Sequence, residues 1–478
     1  MKKSGSDTTK ETSEQELRRL RKENAKLKTQ KEADKAKIRN LKKELKKKRR
    51  AENNDLGRTT QVAFEPIPGH RFSIQLIMLC VLMYVRTGCG LRTVVDILGI
   101  FEEVLGESFG RTPCYNSVAN WVRKLGLAIY QDDTPLSQKY GVVADESISI
   151  NKEKLLLVLG FNADHEGRPL GHKDVTVLDM KVGECFKRED VKSSLDAVSE
   201  SVGEVPAYGV SDGAHNLAGG FRDAGICHHL DISHTLGNCM KHVYGEDAEF
   251  KSLTEKLGKI RLQYHLTEKA WLLPPNMRSI ARFMNLRGWV EWADKLIGCY
   301  DTLDDGMKDA YSFILEYREL VRELHVCTDS IGHLEDLCKN QGFGKRVNTL
   351  CQDYIIRNVI GNANNRRASV GLEMLDYFKS QARLLADKNE IRHISSDIIE
   401  SDFGIYKAKK SPNKLYGITS LILMLPLYPK TIDYSVAENQ YFKERLANVK
   451  LKDIDLWAKE NLSENRVALR SKTLNKAS

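Results

Sequence analysis

Three carboxylates stand where the patterning of this chain puts the ends of regular elements. Asp145 closes the apolar part of a strand-like run, Tyr140–Ile150, whose alternation sets Val143, Asp145 and Ser147 on one face and Glu146 on the other. Asp212 follows the short run Pro206–Ser211 directly and precedes Gly213, where a strand gives way to a turn. Glu400 lies in a helical segment, SSDIIESDFGIYKAKK, far down the chain. Carboxylates from separate elements meeting at one edge of a sheet suit hard, oxygen-seeking cations such as Mg²⁺. Two such ions, with Mn²⁺ as a substitute, could clamp the attacking and leaving oxygens of an in-line phosphoryl transfer. Glu146, Asp397 and Asp402 are the neighbouring carboxylates that could take these places instead.

The elements needed to hold such a site follow from the periodicity. Three β-rich runs, Tyr140–Ile150, Lys154–Asp164 and Lys173–Glu184, precede a helical stretch at Arg188–Val202 and two more strand-like runs, Pro206–Asp212 and Ala224–Asp231. This β-β-β-α-β order predicts an α/β fold, a mixed sheet with helices on its faces. From about Ile232 to Asn389 the pattern is almost wholly helical, and Ile391–Leu425 reads as a helix, a basic turn and a second helix. The polar residues beyond Asp433 read as a tail.

Upstream of the sheet, Phe72–Gly88, Leu91–Gly106 and Thr112–Gln131 read as three helices separated by glycines. Thr112-Pro113 is a capping pair for the third. Its exposed side would offer Asn116, Asn120, Arg123 and Lys124 to base edges and phosphates of double-stranded DNA. A helix-turn-helix fits this pattern, and a plain helical packing domain fits it at least as well. Further upstream, Leu17, Leu20, Asn24, Leu27, Lys31, Asp34, Ile38, Leu41 and Leu45 follow the three-four steps of a heptad seam. That seam suits either a two-stranded coiled coil, and so a homodimer, or a single solvated helix.

Charge is concentrated in the same arm. The net charge is +9; residues 1–56 hold 20 Lys/Arg against 10 Asp/Glu, and residues 57–478 hold 54 against 55. Ten of the basic residues fall in Lys35–Arg50, suited to lying along nucleic-acid phosphates or simply to solvation. No apolar run reaches the roughly 18 residues of a membrane span, and none follows the lysines of MKKSGSDTTKETSEQE as a secretory signal would require. No membrane association is expected. The ten cysteines include no Cys-x-x-Cys pair, which points to reduced thiols. His215, Cys227, His228, His229, His234, Cys239 and His242 crowd into one stretch but lack the paired knuckles of a structural zinc site. Gly342–Lys345, GFGK, lacks the hydroxyl residue of a P-loop.

Taken together, Asp145, Asp212 and Glu400 with this strand order resemble an insertion-sequence transposase of the DDE type, which implies an RNase H-like catalytic core over about residues 140–425. The resemblance assigns all three carboxylates to catalytic metal. Lys407, which follows Glu400 with six residues between, matches the glutamate-x6-lysine element of many such transposases, whose lysine contacts transposon-end DNA. Asp231 and His234, in CHHLDISH, resemble an Asp-x-x-His element beside the active site of several families. One departure is Ser396, where some members carry an arginine four residues before the glutamate; Arg392 lies two turns upstream. The long interval between Asp212 and Glu400 is what a helical insertion produces.

The implied layout is a basic coiled coil (residues 1–56), a helix-turn-helix-like domain (61–135), the first part of the core (140–235), an all-helical insertion (236–389), returning core helices (390–430) and a tail (431–478). The implied activity is metal-dependent cleavage and strand transfer at transposon ends, in the cytoplasm of a prokaryote and associated with its nucleoid. The alternatives are a transposase-derived DNA-binding protein without catalysis, and an RNase H-like nuclease that cuts without joining.

Overall fold

The computed structural model describes residues 67, 69–105, 112–132, 136, 139–147, 153–164, 168–275, 283, 286–361, 363–387, 389–410, 417–464 and 466–476, with scattered positions between 20 and 44. The chain forms two compact units, Met1–Pro66 with Phe101–Thr112, and Ile67–Ile100 with Pro113–Ser478. In the first, the described positions between 20 and 44 are helical, and the seam residues Leu20, Leu27 and Leu41 are exposed. Leu17, Ile38, Leu45 and most of the Lys35–Arg50 run lie outside the described residues.

The second unit is built on a five-stranded mixed sheet: β1 (Tyr140–Glu146), β2 (Lys154–Asn162), β3 (Val175–Gly183), β4 (Tyr208–Ser211) and β5 (His228–Leu230). Their order is β3-β2-β1-β4-β5, with β1–β2 and β2–β3 antiparallel and β1–β4 and β4–β5 parallel. The helix Arg188–Val202 is the crossover that makes β4 parallel to β1. Alternation along β1 turns Tyr140, Val142 and Ala144 toward that helix and the helix His215–Asp223, where Val191, Leu195, Val198, Leu217 and Phe221 complete a core. Asp145 belongs to the other face, against which the returning helix Asp397–Lys409 packs. At the end of β4, Gly213 takes φ +79°, a left-handed turn that side chains resist, so the chain leaves the strand immediately after Asp212.

From Ile232 to Ala382 every described α-helix adds to a second core, in which Phe250, Trp289, Tyr311, Leu324 and Phe378 are fully or almost fully buried. Apart from short 3₁₀ turns, its one irregularity is a π-helical segment, Ile355–Ile360. A two-residue bridge, Phe343 with Arg392, ties this helical body to the segment that returns to the sheet.

The structure revises the sequence reading at both ends of this unit. The polar stretch read as a tail folds into the helices Asn439–Asn448, Leu451–Asn461 and Arg466–Lys476, and Phe442, Leu446, Ile454 and Trp457 are buried. The first two pack on the helix Tyr115–Tyr130, as does Met424–Ile432. Gly126 lies so close to the backbone of Leu423 that a Cβ would sit 1.9 Å from its carbonyl oxygen. Helix Tyr115–Tyr130 is therefore a packed element, with Cys114 rather than Thr112 at its N-cap position. Of its four candidate DNA contacts, Asn116 is exposed and Asn120 half-buried. Arg123 and Lys124 are likewise half-buried and feel the charges of Asp455 and Asp453 on the C-terminal helices. Periodicity marked these two as polar-face residues, but it could not register that distant helices would cover that face.

Candidate active site

Asp145 and Asp212 sit at the ends of neighbouring parallel strands, so both carboxyls emerge at one edge of the sheet. Burial, then the nearby Asp212 charge and, more weakly, that of Glu400, push the Asp145 carboxyl up to about 7. The Glu146 amide, which donates to Asp145 Oδ1 at 2.7 Å, and the charge of His234 work against this rise. Asp212 Oδ1 accepts the Ala214 amide at 2.8 Å. Beside Asp212 and Gly213 opens a cavity of about 380 Å³.

Glu400 arrives on the returning helix. His234 Nε2 lies 2.9 Å from its Oε1, a contact between residues 166 positions apart. That hydrogen bond is the largest influence on Glu400, holding its carboxyl below the usual range with help from the charges of His234, Lys339 and Lys407. Burial alone would lower the His234 imidazole, but the Glu400 bond and the charges of Asp231, Glu400 and Asp212 outweigh it and raise it to about 9. Lys407 is half-buried, and desolvation lowers its ammonium while the charges of Asp145 and Glu400 oppose this. Lys407 therefore shares the electrostatic environment of two of the three carboxylates, two helical turns beyond Glu400.

Asp231 is fully buried and works as a clamp. One oxygen caps the helix Ile232–Tyr244 by accepting the His234 amide at 2.7 Å, and the other accepts the Ser396 amide at 2.6 Å, just ahead of the Glu400 helix. A single carboxylate thus sets the two helices that carry His234 and Glu400. The position that resemblance to some families would fill with arginine, Ser396, contributes its backbone here.

The rival carboxylates have other partners. Glu146 pairs with Lys154 at 2.8 Å and accepts from Asn216, on the opposite face from Asp145. Asp397 pairs with Lys339 at 2.6 Å. Asp402 is buried with its Oδ1 2.8 Å from His172 Nδ1. The clustered histidines likewise have separate contacts: His228 stacks on Phe221, His229 Nδ1 lies 2.9 Å from Gln381 Oε1, and His242 lies 3.0 Å from Glu373.

Two supports escaped the sequence reading. Lys339, from the long helix Arg318–Gln341, donates to Ser233 Oγ at 3.0 Å as well as pairing with Asp397. Arg392, almost fully buried, binds Glu390 at 3.0 Å, approaches His229 Nε2 at 2.9 Å and lies over the Tyr208 ring. No local pattern marks either residue, because each is defined by partners remote in sequence.

The donor chemistry fits a hard cation. Asp145 and Asp212 bring two carboxylates that repel one another where water is largely excluded, and Mg²⁺ is commonly held by one or two carboxylates plus substrate phosphate oxygens. Among the described residues, no three His, Cys, Asp or Glu side chains stand close enough together to share one ion. Glu400 is held by His234. No family model matches this sequence, and no curated protein aligns with it significantly.

Proposed function

We propose that the chain is a DDE-type transposase with an RNase H-like catalytic core, cutting and joining DNA by metal-assisted phosphoryl transfer. The observation that carries this reading is the convergence of Asp145, Asp212 and Glu400, from two strand ends and a returning helix, into one electrostatically coupled group. The strand order β3-β2-β1-β4-β5, with β1 at the centre and β2 antiparallel to both its neighbours, supports the RNase H-like core. The large helical body between Asp212 and Glu400 supports the insertion. Helical residues between 20 and 44 with exposed Leu20, Leu27 and Leu41 support a coiled-coil homodimer holding two DNA ends.

In this reading Asp145 and Asp212 hold the cation side of the site, and Glu400 joins them when it releases His234. Bound Mg²⁺, or Mn²⁺ in its place, would neutralise the phosphate and acidify the attacking water, two ions clamping the entering and leaving oxygens. Water attacks the phosphodiester at the transposon end, breaking the P–O bond and leaving a free 3′-hydroxyl. That hydroxyl then attacks a target phosphodiester: the new P–O bond forms as the target's own bond from phosphorus to its 3′-oxygen breaks, the attacking hydroxyl gives its proton to solvent, and the displaced 3′-oxygen takes one up as a new hydroxyl end. Lys407 places a cation beside the phosphate path, and Asp231 keeps His234 and Glu400 in register. Positioning and charge account for most of such catalysis.

The test is incubation of the purified protein with a labelled candidate end in Mg²⁺ or Mn²⁺. Nicking and joined products are expected, both lost in Asp212→Asn and Glu400→Gln. Nicking without joined products would make this a nuclease. Binding without cleavage, unchanged by either substitution, would make it a DNA-binding protein.

A further inference from the structure

Away from the carboxylates, a second cleft of about 610 Å³ opens between the start of the helix Leu91–Leu105 and the end of the helix Asp397–Lys409. Its wall includes Arg92, Tyr115, Lys409 and Lys410, with Thr93 and Thr419, and, among the described residues, no Asp or Glu. Arg92 is exposed and lies over the Tyr115 ring at 5.1 Å. The Lys409 ammonium sits 4.9 Å above the Tyr84 ring and donates to the carbonyls of Thr87 and Cys89. Those neutral partners fix its position but leave its charge uncompensated; among the described residues, none of the three cations has a carboxylate partner. Three positively charged side chains in the lining of one cavity favour an anion.

We propose that this cleft binds a backbone phosphate of the same DNA duplex whose bond is cut at Asp145, Asp212 and Glu400. The inference rests on the transposase reading for its choice of DNA. Glu400 and Lys409 belong to one helix, and nine residues advance about 14 Å along its axis. Lys407 stays on the Glu400 side, whereas Lys409 lies round the helix and Lys410 follows its last turn in an extended conformation, both in the lining of the cleft. One turn of B-DNA spans about 34 Å. Along the helix axis the cleft therefore lies within one duplex turn of Glu400, the reach of a duplex that wraps past the end of this helix. The exposed Tyr115 ring adds an apolar wall at the rim, the kind of surface on which a sugar or an unpaired base rests.

The experiment measures binding of the full chain to a labelled 30-base-pair duplex in EDTA over a range of salt, so no cleavage is needed. In the double variant Arg92→Ala with Lys410→Ala, loss of that phosphate contact lowers the slope of log affinity against log salt by about 1. The charge-preserving pair Arg92→Lys with Lys410→Arg keeps the wild-type slope, which a folding defect would not. Calorimetric titration with inorganic phosphate separates a DNA subsite from a free-anion site. Heat lost in the alanine variant while its DNA slope stays unchanged would assign the cleft to the free anion and overturn the proposal. An unchanged DNA slope without any phosphate binding overturns it as well. A wild-type chain that binds no duplex overturns the transposase reading along with it, whereas tight binding with no metal-dependent cleavage overturns only the catalytic reading.

Discussion

Replacing Asp145 with asparagine is expected to stabilise this protein above pH 7 and to gain nothing from the same effect below pH 4. In the folded chain the Asp145 carboxyl titrates near 7, raised from the ordinary 3.8 by burial and by the charge of Asp212. Between those values the native state keeps a proton that the unfolded chain has released. The native state thus binds more protons, and stability falls as pH rises through this window. At about 1.4 kcal/mol per unit, the full shift corresponds to about 4 kcal/mol, lost between pH 4 and pH 7. Asparagine has no proton to lose, so the advantage of the variant should grow by up to that amount across the same interval. Urea denaturation of both proteins at pH 4, 5, 6, 7 and 8, in EDTA, reads it directly. A stability difference constant across that range would refute the account of Asp145 as a buried, repelled acid. Mg²⁺ supplies a second readout: at pH 8 it should raise the urea midpoint of the wild type more than that of the variant, because a ligand bound only by the native state stabilises it.

Three further outcomes are expected. His234 should titrate near 9 by NMR and fall back toward its ordinary value in Glu400→Gln; since its folded value is raised, the stability it contributes is complete below pH 6.5 and lost as pH climbs to about 9. Arg392→Met leaves Glu390 and His229 without their buried partner and should lower stability by about 3–5 kcal/mol in urea denaturation; a cost under 1 kcal/mol would show the network to be dispensable. Gly126→Ala drives a methyl into the Leu423 carbonyl and should cost about 1–3 kcal/mol, whereas a helix Tyr115–Tyr130 free to enter a DNA groove would tolerate alanine and gain helix propensity.

Much of the frame is written locally. The alternation of Val143 and Asp145 against Val142 and Ala144 already assigns the two faces of β1, and the helix Arg188–Val202 is bounded by its own first-turn acids and by Gly203 at its end. Asp212 next to Gly213 marks a strand end by the conformational freedom glycine alone supplies. Such features depend on residues within a few positions of one another, which is why periodicity and turn chemistry expose them. The covered face of Tyr115–Tyr130 is of the opposite kind. Arg123 and Lys124 have the spacing of an exposed polar stripe, and only the arrival of Asp453 and Asp455 from the end of the chain makes them partly buried.

By itself, then, the sequence determined the strands of the sheet and most helices of the second unit, though not the three at its C-terminal end, and put Asp145, Asp212 and Glu400 at the ends or on the faces of particular elements. Only tertiary structure decided which of them meet. The His234 contact with Glu400 and the Asp231 clamp on Ser396 each join two elements separated by the whole helical insertion. Such contacts arise where a long loop of chain closes on itself, and what selects them is the burial and charge pairing gained on closure, a property of the folded whole that no local window of residues contains.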